Sequence, residues 1–333
     1  MASQHLLEVR GLVTTFATEN GEVRAVDRVD LTLDRGRTLG IVGESGCGKS
    51  VTALSIMRLL PQPMGRIRSG TIQVEGTELV GASADTLHRI RGNRIGMIFQ
   101  EPMTALNPVH RIGRQIAESL ILHRGLDRRA ALAKAVEMLE RVGIPAPEVR
   151  LSEYPHQLSG GMRQRVMIAI ALACDPALLI ADEPTTALDV TVQAQILELI
   201  ATLRAESGMG VMLITHDLGV IAEHCDDVVV MYAGRVAEQA PAQTLFASPR
   251  HPYTRGLLAS IPHLHTPRKS RLPTIKGMVP TLADLPDGCR FNNRCPHADD
   301  RCRQEQPALT SAGSGHQVAC HHWQRIARLD VTP

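Results

Sequence analysis

The sequence GESGCGKS occupies residues 43–50 and directly follows an apolar run, TLGIV at residues 38–42. It has the pattern G-x-x-x-x-G-K-[ST], after a predicted strand and before a predicted helix that we expect to end at Pro61. Glycines let backbone N–H groups surround phosphate oxygens, and the N-terminus of a helix adds the positive end of a dipole. Residues 43–50 therefore predict a phosphate-binding loop, or P-loop.

The P-loop predicts a site for a nucleoside triphosphate with Mg²⁺. Lys49 is expected to reach the β- and γ-phosphates, and the Ser50 hydroxyl to ligate Mg²⁺. Val51 can offer its backbone N–H only. The predicted nucleotide-binding residues of this stretch are Gly43, Ser45, Gly46, Cys47, Gly48, Lys49, Ser50 and Val51. The alternative is a glycine-rich turn without a ligand, and the motif alone does not identify the class of NTPase.

A second stretch, LLIADE at residues 178–183, has the form of a buried strand that ends in two acids. Asp182 is positioned to hold Mg²⁺, and Glu183 to polarise the attacking water as a general base. His216 follows another predicted strand, Val211–Thr215, and is a candidate contact for the γ-phosphate. Gln100 ends a further strand and is a candidate ligand of Mg²⁺ or of the attacking water. Ordinary structural roles remain the alternative for each residue alone.

Short apolar runs alternate with amphipathic stretches along most of the chain. Residues 95–99 and 228–232 are further predicted buried strands, while residues 29–33 alternate as in a half-buried strand. This alternation is typical of an α/β architecture with a mostly parallel sheet. The strand pattern is missing between Gln100 and Pro176, where we predict a helical insertion. After about Pro249 the chain is rich in proline, and we expect a loop-rich extension that buries little apolar surface.

Composition and charge exclude several classes of function. The chain has 333 residues, enough for about two domains of ~150 residues. A net charge of +2 and 2% aromatic residues argue against a nucleic-acid-binding protein. The longest apolar run, residues 166–174, is about half of the ~20 residues that a membrane-spanning helix needs. The N-terminus, MASQHLLEVR, lacks the pattern of a secretory signal. We therefore expect neither a transmembrane nor an exported protein.

The stretch LSGGM at residues 158–162 narrows the class of NTPase. Ser159, Gly160 and Gly161 are expected to start a helix, where their N–H groups and the hydroxyl can bind an anion. This stretch resembles the signature of the ATP-binding cassette (ABC) family. The other motifs of that family occur here in the family's order, namely the P-loop, Gln100 in a Q-loop, the acidic strand and His216. The resemblance covers about residues 6–250. A serine-capped helix start without a ligand is the alternative.

The resemblance implies a fold and a division into domains. The fold is a P-loop NTPase cassette of the α/β class, with a RecA-like, mostly parallel sheet, an antiparallel β subdomain and a helical subdomain. Residues 1–100 and 177–250 would form the ATP-binding core, residues 101–176 the helical signature subdomain, and residues 251–333 a C-terminal extension.

The resemblance also implies that two cassettes dimerise head to tail around two ATP molecules. Ser159, Gly160, Gly161 and, in the D-loop, Asp189 would then contact the ATP of the partner cassette. Phe16 is the candidate for stacking on adenine by its position, and a core role is the alternative. The Mg²⁺ ligands would be Ser50, Gln100 and Asp182.

Three further stretches resemble the ATPase subunits of bacterial dipeptide and oligopeptide importers. They are YPHQLSGGM at 154–162, EPTTALDVT at 183–191 and SPRHPYT at 248–254. This resemblance implies ATP hydrolysis that powers peptide uptake, or uptake of nickel, glutathione or another small solute. It implies two membrane permease subunits, a second and usually different cassette subunit, and a periplasmic or extracellular binding protein, with no nucleic acid. The subunit would be peripheral, on the cytoplasmic face of the bacterial plasma (inner) membrane.

Two alternatives outside transport remain, each an ABC ATPase. One acts on nucleic acid or the ribosome, and the other is a soluble scaffold for iron–sulfur assembly. A long coiled-coil insertion or a second cassette, which is usual in the first class, is missing from this sequence.

In importers we expect residues 100–116 to link the γ-phosphate site to a permease coupling helix.

Four cysteines in the C-terminal extension, Cys289, Cys295, Cys302 and Cys320, have the spacing C-x5-C-x6-C-x17-C. This spacing lacks the paired C-x2-C of common zinc sites, but four thiolates suit a tetrahedral metal or a [4Fe–4S] cluster. The matching extension of dipeptide-importer ATPases is associated with a [4Fe–4S] cluster. Zinc, with His297, His321 or His322 as further ligands, and four unliganded thiols are the alternatives. We expect a metal to stabilise the extension rather than to transfer electrons.

Overall fold

The computed structural model describes residues 5–19, 21–100, 105–186, 188–261, 273–313 and 315–328. Contacts between Cα atoms divide the chain into two compact units. The first contains Met1–Leu7, Leu33–Arg37 and Gln73–Ile214, and the second contains Glu8–Thr32, Thr38–Ile72 and Thr215–Pro333, as far as these ranges are described.

The described strands follow one another along both units. In chain order they are β1 Leu7–Thr18, β2 Gly21–Leu33, β3 Thr38–Val42, β4 Gly65–Val74, β5 Thr77–Glu78, β6 Ile95–Ile98, β7 Leu178–Asp182, β8 Gly210–Ile214, β9 Asp227–Tyr232, β10 Arg235–Pro241, β11 Thr310–Gly313 and β12 His316–Val318.

The described helices separate most of the parallel strands. They are α1 Lys49–Ile56, α2 Ala84–Ile90, α3 Ile112–Arg124, α4 Arg128–Arg141, α5 Pro147–Arg150, α6 Gly160–Leu172, α7 Val190–Ser207, α8 Leu218–His224, α9 Ala242–Ala247, α10 Pro252–Ala259, α11 Asp300–Gln304 and α12 Trp323–Arg328, with a 3₁₀ turn at Pro155–Gln157. None of the helices in the described ranges has both the length and the apolar character needed to cross a bilayer.

The first unit contains the parallel strands β6, β7 and β8 and a set of helices. In β7 and β8 every side chain is buried, as expected for strands covered on both faces. Helices α3 to α6 fill the stretch for which a helical insertion was predicted. Asp127 caps α4 by accepting a hydrogen bond from the Ala130 N–H at 2.9 Å, and α4 buries Ala131, Ala135, Met138 and Leu139.

The second unit contains the strands around the P-loop. Strand β3 pairs in parallel with β9, which continues through an antiparallel hairpin into β10. Another sheet of this unit has the order β2–β1–β4, and the predicted alternation is visible in β2, where Val29, Leu31 and Leu33 are buried and Asp30 and Thr32 are exposed. Parallel strands with helices and a separate antiparallel sheet confirm the predicted fold class. The predicted domain boundaries stay a prediction.

Helix α1 ends earlier than predicted. It ends at Ile56 instead of Pro61, because Arg58 has a positive φ of 55° and the Leu59 N–H bonds to the Leu54 oxygen, one residue beyond the α-helical partner. Pro61 is therefore not the residue that ends the helix, because the backbone leaves the helix a full turn before it.

The C-terminal extension is more structured than predicted. Strand β12 pairs with β10 in antiparallel fashion, so the extension adds β11 and β12 to the sheet that contains β9. The expectation that the extension buries little apolar surface was wrong. Phe291 and Tyr253 are buried in one cluster with Tyr232, and the three rings have centroids 4.6 to 5.5 Å apart. Such aromatic pairs stabilise the packing beyond their buried area.

Candidate functional site

The P-loop in the second unit connects β3 to α1 and has a backbone that requires glycine at Gly48. This N-cap residue of α1 has φ 103° and ψ 4°, and a Cβ atom there would lie 2.6 Å from the backbone oxygen of Ala25. The loop is also tied to the β9–β10 hairpin, because the Gly234 N–H donates to the Cys47 oxygen at 2.9 Å. The loop conformation is therefore held by the surrounding backbone before any ligand binds.

Lys49 lies at the start of α1 with its side chain buried. Its Nζ atom donates to the backbone oxygens of Gly43 at 2.8 Å and Glu44 at 3.3 Å, across the curve of the loop. An ammonium held by neutral carbonyl groups can exchange them for phosphate oxygens, which are stronger acceptors. Burial raises the pKa of the Cys47 thiol, so Cys47 remains a neutral packing group in the loop. Ser45 and Gly46 are exposed, while Gly43 and Gly48 are buried.

In the first unit, the predicted catalytic carboxylate lies at the carboxyl end of β7. Asp182 is buried at the last position of the strand, in register with Ile214 of β8, and Glu183 follows it. The Gln100 Nε2 atom donates to Glu183 Oε2 at 3.1 Å, and the Thr186 hydroxyl donates to the same oxygen at 2.9 Å. The parallel pairing of β6 with β7 places the residues after each strand at one edge, which explains how residues 83 positions apart meet.

Glu183 has a backbone conformation unusual for its residue type. Its φ is 48°, in the left-handed region, where non-glycine residues are held at a cost of about 1–3 kcal/mol. The Glu183 N–H donates to the Ile214 oxygen at 2.9 Å, so pairing to β8 helps to maintain this conformation. Strained residues are concentrated at functional sites, and this one is the predicted general base.

The signature stretch forms the start of α6 in the first unit. Ser159 caps the helix by accepting a hydrogen bond from the Met162 N–H at 3.3 Å, and Ser159 and Gly160 are exposed. Asp189 caps α7 in the same way through the Val192 N–H at 2.9 Å. A Cβ atom on Gly161 would lie 3.0 Å from Val192 Cγ1, so the starts of α6 and α7 lie side by side. Of the residues predicted to contact a partner's ATP, Ser159, Gly160 and Asp189 thus form one exposed group beside the half-buried Gly161.

The remaining predicted nucleotide contacts, His216 and Phe16, lie near the ends of strands. His216 is exposed just after β8, before α8, whose cap is Asp217. Phe16 is half-buried on β1, and its role in adenine stacking stays a prediction. Residues 101–104 of the predicted permease-facing segment and Ala187 of the D-loop lie outside the described residues.

The four C-terminal cysteines converge on one cavity of the second unit, which is also lined by His297, His321 and His322. Burial raises the pKa of Cys289 to about 11, and the nearby Cys302 and Cys295 raise it further. Burial likewise raises the pKa of Cys320 to about 12, with the other three thiols as a further cause. The negative charge of each thiolate opposes the ionisation of the other thiols. Four such thiols fit a site in which the cysteines ionise only when a cation is bound.

Four residues with direct contacts in these sites were missed by the sequence reasoning. Thr186 binds Glu183, and Glu44, Tyr253 and Arg294 form a hydrogen-bonded group at the P-loop. Tyr253 lies in the SPRHPYT stretch, which indicates the family but not a contact with the P-loop. Arg294 precedes Cys295 and had no signal of its own in the sequence.

Comparisons with known proteins agree with this geometry. A family model described as "ABC transporter" matches residues 26–186, and one described as "Oligopeptide/dipeptide transporter, C-terminal region" matches residues 237–302. A peptide import ATP-binding protein of Brucella melitensis biotype 1 is 53% identical over 98% of this chain and 100% of that protein. The oligopeptide transport ATP-binding protein AppD of Bacillus subtilis is 52% identical, and the dipeptide transport ATP-binding protein DppD of Escherichia coli K12 is 48% identical, each over 95% of this chain and 96% of the relative.

Among solved structures, the dimeric structure of a bacterial ABC transporter cassette is similar with a TM-score of 0.64 and 28% identity. The match covers 71% of this chain and 98% of that cassette.

Proposed function

This chain belongs to the family of ABC transporter ATP-binding proteins with an oligopeptide/dipeptide transporter C-terminal region, and we propose that it powers the uptake of di- and oligopeptides. It is an ATPase subunit that hydrolyses ATP. The observation that supports peptides as cargo most strongly is that the similarity to AppD and DppD extends over 95% of the chain, including the extension after residue 250.

The hydrolytic step would use the residues at the end of β7. Glu183 would accept a proton from the attacking water through its carboxylate, which Gln100 and Thr186 orient by their hydrogen bonds. Lys49 would bind the β- and γ-phosphates once its present carbonyl partners are replaced, and Ser50, Asp182 and Gln100 would ligate Mg²⁺. His216 would contact the γ-phosphate, and Phe16 the adenine ring. Charge stabilisation and orientation of the water together would supply the catalysis.

The partner of this subunit would be a second cassette. Ser159, Gly160 and Asp189 are exposed at the starts of α6 and α7, where their N–H groups and side chains are accessible to a ligand on another molecule. The likeness to a dimeric cassette supports this arrangement. We infer that a sister subunit takes the place of the second cassette, and that the pair acts with two membrane permeases and an external binding protein. The chain would then be peripheral, on the cytoplasmic face of the plasma membrane.

The cysteine site of the extension would hold a metal centre. A single tetrahedral zinc ion with Zn–S bonds of ~2.3 Å places its sulfur ligands about 3.8 Å apart. Three potential ligands, Asp299, Cys302 and His322, have their ligand atoms within 4.8 Å of one another. Among the described residues, no three cysteine sulfurs are that close. The four cysteines line one cavity and supply the four thiolates that a [4Fe–4S] cluster takes, while Asp299, Cys302 and His322 are the specific alternative for zinc. When bound, the cluster would cross-link four points of the extension.

The metal assignment can be tested on anaerobically purified protein. We expect iron and acid-labile sulfide in the wild-type protein, their loss in Cys302→Ser, and no loss in Cys225→Ser, whose thiol does not line the cavity. Limited proteolysis provides a second readout, since the extension should be cut faster in Cys302→Ser. Zinc without sulfide would contradict the cluster and support the alternative ligands.

The transport proposal is tested by deleting the gene for this chain in its source cell. Uptake of a labelled dipeptide should be lost, and it should return with the wild-type gene or with Lys134→Ala, which alters an exposed ion pair of α4. Glu183→Gln should not restore it. Intact dipeptide uptake would refute peptides as cargo, and parallel assays with nickel and glutathione identify the other solutes.

A further inference from the structure

Glu44, the second residue of the P-loop, is held by the C-terminal extension. Its carboxylate accepts two hydrogen bonds from the Arg294 guanidinium, from Nη1 at 2.7 Å and from Nη2 at 3.0 Å. The P-loop motif assigns no role to this position, and Arg294 lies 250 residues away in sequence. The pair therefore joins the nucleotide site to the segment that carries the four cysteines.

Arg294 itself is fixed in place. Its side chain is 2% exposed, its Nε donates to the Lys276 oxygen at 3.0 Å, and its guanidinium lies over the rings of Tyr232 and Phe291 at 5.7 and 5.9 Å. Such stacking and a bidentate pair leave the planar guanidinium little freedom. Because Arg294 is packed on all sides, it imposes a position on the more exposed Glu44 rather than following it.

A second bond reaches the same P-loop residue. The backbone N–H of Glu44 donates to the Tyr253 hydroxyl at 2.9 Å. Tyr253 is fully buried in the aromatic cluster with Tyr232 and Phe291, and burial raises the pKa of its phenol, so the hydroxyl stays neutral. Both the side chain and the main chain of Glu44 are thus held by residues from beyond position 250.

The negative charge of Glu44 makes its ion pair with Arg294 relevant to nucleotide binding. The Lys49 Nζ atom, which would bind the phosphates, donates to the Glu44 backbone oxygen at 3.3 Å, so Glu44 lies in the part of the loop that would hold a tetra-anionic ligand. Besides burial, the Glu44 carboxylate also raises the pKa of the Cys47 thiol in the same loop, so its charge acts on the P-loop. An unpaired carboxylate there would repel the phosphates, whereas the Arg294 guanidinium neutralises it. We infer that Arg294 and Tyr253 are positioning residues for ATP, through which the C-terminal extension sets the nucleotide affinity of the P-loop. This inference rests on the proposed binding of ATP by residues 43–50.

The test compares ATP affinities of purified full-length variants. In Arg294→Met the dissociation constant of ATP should rise about tenfold, because Glu44 loses its counter-charge near the phosphates. The double variant Glu44→Gln with Arg294→Met should recover an affinity within about threefold of the wild type, since the repelling charge is gone. Arg303→Met, an exposed arginine of the same extension that pairs with Asp300, serves as the matched control and should leave the affinity unchanged.

The rescue separates positioning from a merely structural role. If Arg294 only stabilises the extension, Arg294→Met lowers the melting temperature without weakening ATP binding, or the double variant binds as poorly as the single one, and either result overturns the inference. If Arg294→Met does not fold, Tyr253→Phe decides, because it removes only the hydroxyl and should weaken ATP binding about threefold. A wild-type chain that fails to bind ATP would instead refute the assignment of the P-loop.

Discussion

Replacing Gly48 by alanine should weaken ATP binding far more than an ordinary loop substitution does. In this variant the new Cβ atom would meet the Ala25 backbone oxygen at 2.6 Å, and the residue would keep a φ of 103°. Holding an L-residue in the left-handed region costs about 1–2 kcal/mol, and overpacking against a backbone atom adds about 1–3 kcal/mol. The native loop geometry therefore becomes less stable by about 2–5 kcal/mol.

This cost converts directly into affinity if ATP binds only the native loop. At about 1.4 kcal/mol per tenfold change, the dissociation constant of ATP should rise at least ~30-fold. The matched control is Gly76→Ala, because Gly76 also has a positive φ of 77° but has open space where a Cβ would lie. Gly76→Ala should lose about 1 kcal/mol of stability and keep its ATP affinity.

The assay is titration of each purified variant with ATP, together with its melting temperature. A Gly48→Ala protein that binds ATP within threefold of the wild type would refute the reasoning, since it would show that the loop relaxes around the added methyl group at little cost. Equal losses of affinity in Gly48→Ala and Gly76→Ala would refute it as well, because the contact with Ala25 would then play no part.

Three other perturbations test separate parts of the structure. Glu183→Gln should keep its ATP affinity, because an amide oxygen can still accept hydrogen bonds from Gln100 and Thr186. The rate of phosphate release should fall about 10²–10⁴-fold, and a rate within threefold of the wild type would contradict the role of Glu183 as the base. Phe291→Ala should destabilise the second unit by about 3–5 kcal/mol in denaturant unfolding, and Phe291→Leu by clearly less, because the ring fills the cluster with Tyr232 and Tyr253. Burial lowers the pKa of His251 from 6.5 to about 4, so between these pH values the unfolded chain binds more protons than the folded chain. The free energy of unfolding should therefore decrease by up to ~1.4 kcal/mol per pH unit as the pH falls from 6.5 to 4. In His251→Asn, which can still accept the hydrogen bond from the Tyr253 N–H, the decrease should be smaller, as thermal unfolding across this pH range would show.

The structural features that could be predicted are those encoded in short contiguous stretches of the sequence. The P-loop, the acidic end of β7 and the cap of α6 by Ser159 each depend on neighbouring residues, so local backbone preferences and hydrophobic periodicity are enough to locate them. The buried strands β3, β7 and β8 agree with their predicted runs to within one residue at each end. The division of the chain between helices and parallel strands follows from the same periodicity.

The positions of the missed residues depend on contacts between distant parts of the chain. Gln100 meets Glu183 only because β6 and β7 are neighbours in the sheet, and the strands β11 and β12 form because β10 offers an edge for pairing. Arg294 could be recognised as a partner of the P-loop only in the folded extension, where its guanidinium lies over the rings of Tyr232 and Phe291. The chemistry of the nucleotide site is thus determined by local sequence, whereas the charge and the support around Glu44 are decided by tertiary packing, because hydrogen bonds between residues 250 positions apart leave no pattern in the sequence between them.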